Sequence, residues 1–276
     1  MTQLVVYTDL DGCLLDSTTY SYEPALPALE ALRIQQIPLV LVSSKTRAEI
    51  EPLRHRLGHC DPFIVENGAA VFVPHGLFDF PLERARTRTS YDVIELGLPY
   101  GILRDVLKQI EMTVATPLRG FGDLSIDDIM QVTGLSQQEA TLAKQREYDE
   151  PYLLEGPPAL IEEVCRQIVI RGLRWTKGGR LFHLTGDNNK GQAAALLLRC
   201  YQRQHRLQGR GDRIETVGIG DSINDAPLLA IVDHPILVQK PDGSYDPDIH
   251  IPGMTRAPGI GPIGWNLALQ ELLACR

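Results

Sequence analysis

Cysteine is scarce in this sequence. Its five cysteines are odd in number and scattered along the chain, and none of them forms a Cys-x-x-Cys pair. Neither a disulfide framework nor a zinc knuckle is therefore predicted. A reducing compartment, the cytoplasm, suits such a chain best.

Long apolar runs and an excess of basic residues are also missing. No run approaches the roughly 18 residues that a membrane-spanning helix needs, and the N-terminus has no signal-peptide pattern. Lys and Arg number 27 against 35 Asp and Glu, which gives a formal net charge of −8. We therefore predict neither a nucleic-acid partner nor a membrane partner. A small anionic substrate is still compatible with this charge, because a bound divalent cation reverses the local field. A monomer or a homodimer is expected.

The remaining composition, 43% apolar and 22% charged, is that of an ordinary soluble globular protein. With 276 residues, the chain can form about two domains, or one domain with an insertion. Apolar runs at residues 4–8, 38–42 and 63–65 alternate with helical patterns at 24–35 and before Leu57. Strands that alternate with helices pair in parallel. This predicts an α/β fold with a Rossmann-like parallel sheet.

The pattern changes at about residue 83. Short helices with capping boxes are indicated at Ser125 and Ser136, and a hairpin is predicted around Gly178-Gly179. We predict that residues 83–186 form an inserted α+β module with its own sheet, and that residues 1–82 and 187–276 form the core.

The second part of the core resumes the α/β pattern. A long helix is predicted at 190–207, a buried strand at 215–220 and a terminal helix at 265–274. Residues 242–264 are rich in Gly and Pro and are predicted to be a long loop. A loop of that length inside a compact domain is more often functional than idle.

Polar side chains follow three of the predicted buried strands. Asp9 and Asp11 follow the first strand, Ser43 follows the second, and Asp221 and Asp225 follow the strand at 215–220. The C-terminal ends of parallel strands open on the same edge of a sheet, where ligands bind. Carboxylates that meet there repel each other unless a cation neutralises them, and hard oxygen ligands select Mg²⁺. A magnesium site at this edge is therefore predicted.

The ordered set of these residues resembles the haloacid dehalogenase superfamily of phosphotransferases. The segments that carry the resemblance are Asp9-Leu10-Asp11-Gly12, Ser43, Lys190 and Gly220-Asp221-Ser222-x-Asn224-Asp225. The insertion between Ser43 and Lys190 is where that superfamily carries its second type of cap domain (C2B). The resemblance extends over essentially the whole core.

The resemblance implies a role for each of these residues. Asp9 would attack phosphorus as the nucleophile, and Asp11 would act as general acid and then general base. Mg²⁺ would sit between Asp9, the backbone carbonyl of Asp11 and Asp221. Ser43 and Lys190 would hold the phosphoryl oxygens.

Two further residues of the set would act indirectly. Asn224 and Asp225 would support the metal ligands or Lys190 without touching the ion.

A narrower resemblance links the chain to the mannosyl-3-phosphoglycerate phosphatase family. It rests on residues 43–49, 66–68, 133–136, 146–151, 177–180 and 261–265. It implies hydrolysis of a mannosyl- or glucosyl-3-phosphoglycerate to a hexosylglycerate, which is a compatible solute. The implied substrate is thus a small phosphorylated sugar-glycerate. The implied substrate-binding residues are Ser44, Lys45, Asn67, Arg119, Arg146, Gly178, Gly179 and Arg180.

Arg180 is the candidate for the glycerate carboxylate, since a guanidinium group pairs with a carboxylate in bidentate fashion. Gly178 and Gly179 would let backbone N–H groups approach an anion.

Other functions are open at this point. Another sugar-phosphate phosphatase, such as one acting on sucrose phosphate, would use the same core. A hexose phosphomutase would return the phosphoryl group to its substrate instead of to water. A non-catalytic sensor of sugar phosphates would have no need of Asp9 and Asp11 at this spacing.

Overall fold

The computed structural model describes residues 3–178, 181–211 and 213–275. Within these ranges the strands are β1 (Gln3–Thr8), β2 (Leu39–Val42), β3 (Phe63–Val65), β4 (Ala70–Pro74), β5 (Arg86–Thr87), β6 (Tyr91–Glu95), β7 (Arg119–Gly120), β8 (Asp149–Leu153), β9 (Arg174–Gly178), β10 (Leu181–Thr185), β11 (Ile214–Gly220), β12 (His234–Gln239) and β13 (Thr255–Ile260). The α-helices there are α1 (Leu26–Ile34), α2 (Arg47–Leu57), α3 (Tyr100–Val114), α4 (Ile126–Thr133), α5 (Gln137–Ala143), α6 (Pro158–Val169), α7 (Lys190–Leu207), α8 (Ala226–Leu229) and α9 (Pro262–Ala274).

Most of the described strands belong to one large sheet. Its order is β13-β12-β11-β1-β2-β3-β4-β6-β5, and the pairs from β13 to β3 are parallel. The pairs from β3 to β5 are antiparallel. The predicted α/β fold with a parallel-dominated core sheet is confirmed. β1 lies inside the sheet between β11 and β2, and it is in register with β11 from Gln3↔Ile214 to Thr8↔Ile219.

Helices cover both faces of this sheet because β1 is apolar on both sides. Val6 packs with Leu32 of α1 and Trp265 of α9 on one face. Tyr7 packs with Ala194 and Leu197 of α7 on the other. Each fully buried side chain of this size contributes roughly 1.5–3 kcal/mol to folding. These two apolar layers hold β1 in place between the helices. They thereby also position the residues that follow its C-terminal end.

The last helix is also tied to the first strand by a hydrogen bond. The indole Nε1 of Trp265 donates to Thr8 Oγ1 at 2.9 Å, and that hydroxyl donates to the carbonyl oxygen of Asp9 at 2.8 Å. The backbone at the end of β1 is therefore held from two directions.

The predicted capping boxes are present. Ser125 Oγ accepts from the backbone N–H of Asp128, and Ser136 Oγ accepts from that of Glu139. In each case the carboxylate three residues on accepts from the backbone N–H of the serine. These bonds satisfy the free N–H groups that open α4 and α5.

The part of the sequence between the two core segments forms a second sheet. It has four strands in the order β7-β8-β10-β9. Helices α3 and α6 pack on it through Leu107, Ile168 and their neighbours. The division predicted from the sequence puts β5 and β6 in the inserted module, whereas both strands hydrogen-bond into the large sheet. We therefore propose that the module begins after Glu95 and runs to about Gly186.

β13 was not predicted from the sequence. This strand lies inside the segment predicted to be a loop, residues 242–264, and pairs with β12 in parallel at the edge of the sheet. It contains Pro258 and Gly259, which weaken strand patterns but are tolerated at a sheet edge.

None of the helices in the described ranges is long and apolar enough to cross a bilayer.

Candidate active site

Three carboxylates meet at the C-terminal edge of the large sheet. Asp9 follows β1, and Asp221 and Asp225 follow β11, its parallel neighbour. One oxygen from each lies within 4.8 Å of the others. The sequence predicted this meeting from the strand ends, because neighbouring parallel strands end on the same side.

Lys190 stands at the first position of α7 and points into this group. Its Nζ lies 2.5 Å from Asp9 Oδ1 and 2.6 Å from Asp225 Oδ1, and the side chain is fully buried. Burial alone would lower the pKa of Lys190, but the charges of Asp225 and Asp9 outweigh it and raise that pKa. Lys190 is therefore held as a cation beside Asp9.

The carboxyl group of Asp9 is only partly neutralised by this contact. Its pKa is raised, first by burial and then by the charges of Asp225 and Asp221, while Lys190 acts in the opposite direction. The pKa of Asp221 is raised to about 7 by burial and by Asp225. A further positive charge would stabilise the ionised form of both groups.

Oxygen atoms at this edge are available for a metal ion. Among the residues that the structure describes, neither Asp221 Oδ1 nor Asp11 Oδ1 has a hydrogen-bond partner, although both atoms are buried. Buried polar oxygens without partners are rare in native proteins. With Asp9, Asp221 supplies the hard anionic donors that Mg²⁺ and similar cations prefer. The residues present therefore fit a divalent cation.

Asp225 uses its oxygens differently. Its Oδ2 accepts from the backbone N–H groups of Asp221 and Ser222 at 3.0 and 3.2 Å, and its Oδ1 is beside Lys190. With these contacts Asp225 fixes both the loop that carries Asp221 and the ammonium group of Lys190.

Gly12 lies directly against Asp221. Its φ of +77° is in the left-handed region, and a Cβ there would lie 3.0 Å from Asp221 Oδ2. Both facts require glycine at this position.

Lys45 lies beside Asp11, at the start of the segment leading into α2. Its Nζ is 3.1 Å from Asp11 Oδ2, 3.5 Å from Glu49 Oε1 and 5.0 Å from the centre of the Tyr20 ring. Burial lowers the pKa of Lys45, but Asp11 and Glu49 raise it by more. The ammonium group is thus held as a cation beside Asp11.

Ser43 and Asn67 lie at the same edge of the large sheet. Ser43 follows β2, and Asn67 lies in the turn between β3 and β4. Ser43 is buried, its Oγ accepts from the backbone N–H of Lys45 at 3.1 Å, and its carbonyl accepts from the N–H of Asn67 at 3.0 Å. Asn67 has a φ of +59° and accepts a hydrogen bond from Asn224 Nδ2 at 3.2 Å. Asn224 thus reaches across to the β3–β4 turn.

Several of these residues line a cleft of about 920 Å³ between the core and the inserted module, whereas Ser43, Lys190 and Asp225 lie behind its lining. The core contributes Asp9, Asp11, Ser44, Lys45, Asn67, Asp221 and Lys240, among others. The module contributes Phe121, Gln131, Thr133, Arg146, Lys177 and His183, among others.

The two arginines predicted in the module have different positions. Arg146 lines the cleft and is only 7% exposed, and its guanidinium group donates to the carbonyls of Ser44 and Ala143 at 2.8 Å each. Arg119 is 56% exposed, pairs with Asp128, and is absent from the described residues that line the cleft. The structure therefore brings Arg146 to the site but not Arg119.

The predicted glycine turn of the module is only partly described. Gly178 ends β9 and is paired with Leu181 of β10, as the predicted hairpin requires. Gly179 and Arg180 lie outside the described residues.

Among the described cleft residues that the sequence did not predict as site residues, three have basic side chains: Lys177, His183 and Lys240. Lys240 directly follows β12, so the strand-end pattern that revealed Asp9 could have revealed it too. Lys177 and His183 lie within strands of the module, where no such pattern marks them.

Known proteins resemble this chain over its whole length. The sequence model of the haloacid dehalogenase-like hydrolase family matches residues 6–83 of this chain. A glucosyl-3-phosphoglycerate/mannosyl-3-phosphoglycerate phosphatase of Methanococcoides burtonii is 44% identical over 269 residues, covering 98% of this chain and 97% of that protein. One of the same name from Persephonella marina is 38% identical over 273 residues, covering 98% and 97%.

Solved structures share the fold at low sequence identity. A sugar phosphatase of haloacid dehalogenase subclass IIB superposes with a TM-score of 0.65 at 14% identity, covering 99% of each chain.

Proposed function

The chain belongs to the mannosyl-3-phosphoglycerate phosphatase family of the haloacid dehalogenase-like hydrolases. On that premise we propose that it hydrolyses mannosyl- or glucosyl-3-phosphoglycerate, with Mg²⁺, to a hexosylglycerate and phosphate. One observation carries the proposal. The likeness of 44% identity spans 98% of the chain, so it includes both the strand-end carboxylates and the module that faces them across the cleft.

In the proposed reaction, an Asp9 carboxylate oxygen attacks phosphorus and forms an aspartyl-phosphate while the bond to the substrate oxygen breaks. Asp11 gives its proton to the leaving alkoxide and then takes one from the water that attacks the aspartyl-phosphate. The carboxylate of Asp9 is thereby restored and phosphate is released.

The charges around Asp9 prepare it for this attack. Lys190, 2.5 Å from Asp9 Oδ1, favours the ionised nucleophile and would stabilise negative charge on the phosphoryl oxygens. Asp9, Asp221 and the backbone carbonyl of Asp11 would hold Mg²⁺, which when bound offsets the repulsion between carboxylate and phosphate. Ser43 would hold phosphoryl oxygens from the neighbouring strand end.

The remaining cleft residues would bind the rest of the substrate. Lys45 lies beside Asp11 and would attract the anionic groups. Ser44, Asn67 and Arg146 lie around the same part of the cleft. Gly178, Gly179 and Arg180 are proposed for the glycerate carboxylate on the sequence pattern alone.

Phosphate release from a panel of substrates tests the proposal. The panel contains mannosyl-3-phosphoglycerate, glucosyl-3-phosphoglycerate, sucrose 6-phosphate and glucose 1-phosphate, each assayed with Mg²⁺ and with EDTA. We expect the two hexosyl-3-phosphoglycerates to give the highest kcat/KM, and EDTA to abolish the release. Preference for sucrose phosphate, or conversion of a hexose phosphate to its isomer without phosphate release, would overturn it.

Asp9→Asn tests the nucleophile. We expect this variant to remain folded by circular dichroism and to lose turnover, because an amide does not form the acyl phosphate. Near-normal phosphate release by the variant would contradict the mechanism.

We place the reaction in the cytoplasm. All five cysteines are free thiols, and a cytoplasmic location keeps them reduced. The oligomeric state, monomer or homodimer, stays a prediction.

A further inference from the structure

A buried Asp–His pair in the inserted module faces the cleft. His183 Nδ1 lies 2.8 Å from Asp149 Oδ2. Asp149 is completely buried, and the side chain of His183 is 12% exposed. Asp149 belongs to β8 and His183 to β10, and the register pairs His183 with Pro151, two residues along β8 from Asp149. Since alternate residues of a strand share a face, the two side chains meet on one side of the sheet.

The carboxylate of Asp149 fixes the ring of His183. A carboxylate oxygen accepts hydrogen bonds, so the tautomer of the neutral ring that fits this contact has its proton on Nδ1. Nε2 then carries a lone pair and is a hydrogen-bond acceptor. Because His183 lines the cleft and its Nδ1 edge is occupied, the Nε2 edge is the one left for a ligand.

Asp149 also connects this pair to the core. Its Oδ2 accepts from Asn67 Nδ2 at 3.4 Å, and Arg146 Nη1 lies 3.7 Å away. Asn67 in turn accepts from Asn224, beside the carboxylates of the reaction site. His183 is thus linked through Asp149 and Asn67 to Asn224, and it lines the same cleft as Asp9 and Asp221.

The chemistry of the substrate decides which group an acceptor can bind. The 3-phosphoglycerate unit has one hydroxyl, and in a hexosyl-3-phosphoglycerate that oxygen carries the sugar. The carboxylate and the phosphate are acceptors, so neither offers a proton to the lone pair of Nε2. The hydroxyl donors of the molecule are therefore all on the hexosyl group.

We infer that Nε2 of His183, oriented by Asp149, accepts a hydrogen bond from a hydroxyl of the hexosyl group. The inference rests on the proposed function, and it makes His183 a residue that selects hexosyl esters over simple phosphate esters. Asp149 is a positioning residue, since it acts through the ring of His183.

His183→Ala is the first test, with mannosyl-3-phosphoglycerate, glucosyl-3-phosphoglycerate and p-nitrophenyl phosphate as substrates. We expect kcat/KM for a hexosyl ester to fall by about tenfold, mainly through KM, as for one lost hydrogen bond. For p-nitrophenyl phosphate, which has no hexosyl group, we expect a change of less than about twofold. His183→Gln, with an amide oxygen near the place of Nε2, should recover part of the loss. The control is His75→Ala, because His75 is an exposed histidine of the core domain that lies near Asp92.

Two further measurements separate contact from structure. Asp149→Asn allows either tautomer of His183, so it should raise KM for the hexosyl ester and leave that for p-nitrophenyl phosphate unchanged. Deoxyhexosyl analogues locate the hydroxyl, because the analogue lacking it should be hydrolysed equally well by the wild type and by His183→Ala.

The outcomes distinguish the inference from the proposed function. Equal losses on hexosyl and aryl substrates, or no loss at all, would overturn the role of His183 while hexosyl-3-phosphoglycerate hydrolysis by the wild type stands. A wild-type protein that hydrolyses neither hexosyl ester would overturn both.

Discussion

Lys190 Nζ lies 2.5 Å from Asp9 Oδ1, and both side chains are buried. The same ammonium group lies 2.6 Å from Asp225 Oδ1. The buried ammonium group of Lys190 therefore pairs with the carboxylates of both Asp9 and Asp225. Removal of this group would leave both carboxylates without it.

Lys190→Met tests this relationship. We expect phosphatase activity to fall to background and the free energy of unfolding to fall by about 3–5 kcal/mol, because uncompensated charges remain buried. Phosphate release and urea unfolding measure the two effects. The control is Lys108→Met. The side chain of Lys108 is 41% exposed, and its replacement should change the free energy of unfolding by less than about 1 kcal/mol. A Lys190→Met protein as stable as wild type would contradict the assignment.

Gly12 and Gly76 form a matched pair for a second test. Both have a φ of +77°, but a Cβ at Gly12 would lie 3.0 Å from Asp221 Oδ2, whereas none of the described atoms lies within 4 Å of one at Gly76. Replacement by alanine should destabilise the fold by about 1–2 kcal/mol at either position. We expect only Gly12→Ala to weaken Mg²⁺ binding and activity, as titration calorimetry and phosphate release would show. Equal loss of activity in the two variants would mean that backbone strain alone is responsible.

Metal removal should be visible in stability as well as in activity. Mg²⁺ binds only the folded site, so it should raise Tm in proportion to the logarithm of its concentration above Kd. We expect EDTA to reverse the rise and Asp221→Asn to abolish it, while Asp105→Asn, an exposed acid on α3, behaves as wild type. A Tm insensitive to Mg²⁺ in the wild type would argue against the metal site.

Glu66 predicts a dependence of stability on pH. Its carboxyl group accepts from the backbone N–H groups of Glu147 and Tyr148, and burial raises its pKa from 4.5 to about 8. The folded protein thus keeps a proton that the unfolded chain releases above pH 4.5. This contribution to stability is complete below about pH 4.5 and is lost as the pH rises through about 8.

Glu66→Gln should remove that part of the pH dependence, because an amide does not ionise in this range. Urea unfolding between pH 5 and pH 9 measures it, and Glu155→Gln, an exposed change in the module, is the control. If the slopes of Glu66→Gln and wild type are identical, Glu66 does not titrate as described.

The core site was predictable because a parallel sheet converts sequence order into position. Asp9, Ser43 and Asp221 each follow a buried apolar run, and the edge of the sheet brings them together. The relationship of Asp149 and His183 was not predictable in this way. It depends on the register of β8 and β10, which a short strand pattern does not specify.

Two features of the fold escaped the sequence for similar reasons. β13 contains a proline and a glycine, so its composition is typical of a loop. These residues form a strand because they hydrogen-bond to the neighbouring β12. β6 pairs with β4 and β5 pairs with β6, although the charged, half-exposed residues of both strands have the pattern of the module that follows.

The bond between Trp265 and Thr8 spans 257 positions in the chain. During translation, β1 therefore leaves the ribosome long before β11 and α9, the elements that complete its surroundings, have been made. The strands of the inserted module pair with one another within a shorter stretch of the chain. Domains generally fold as units in the order of synthesis. We expect pulse-labelled hydrogen exchange on stalled nascent chains to show the amides of β8–β10 protected before those of β1. The module, for which we propose a role in substrate selection, would thus fold before the core that carries the proposed nucleophile.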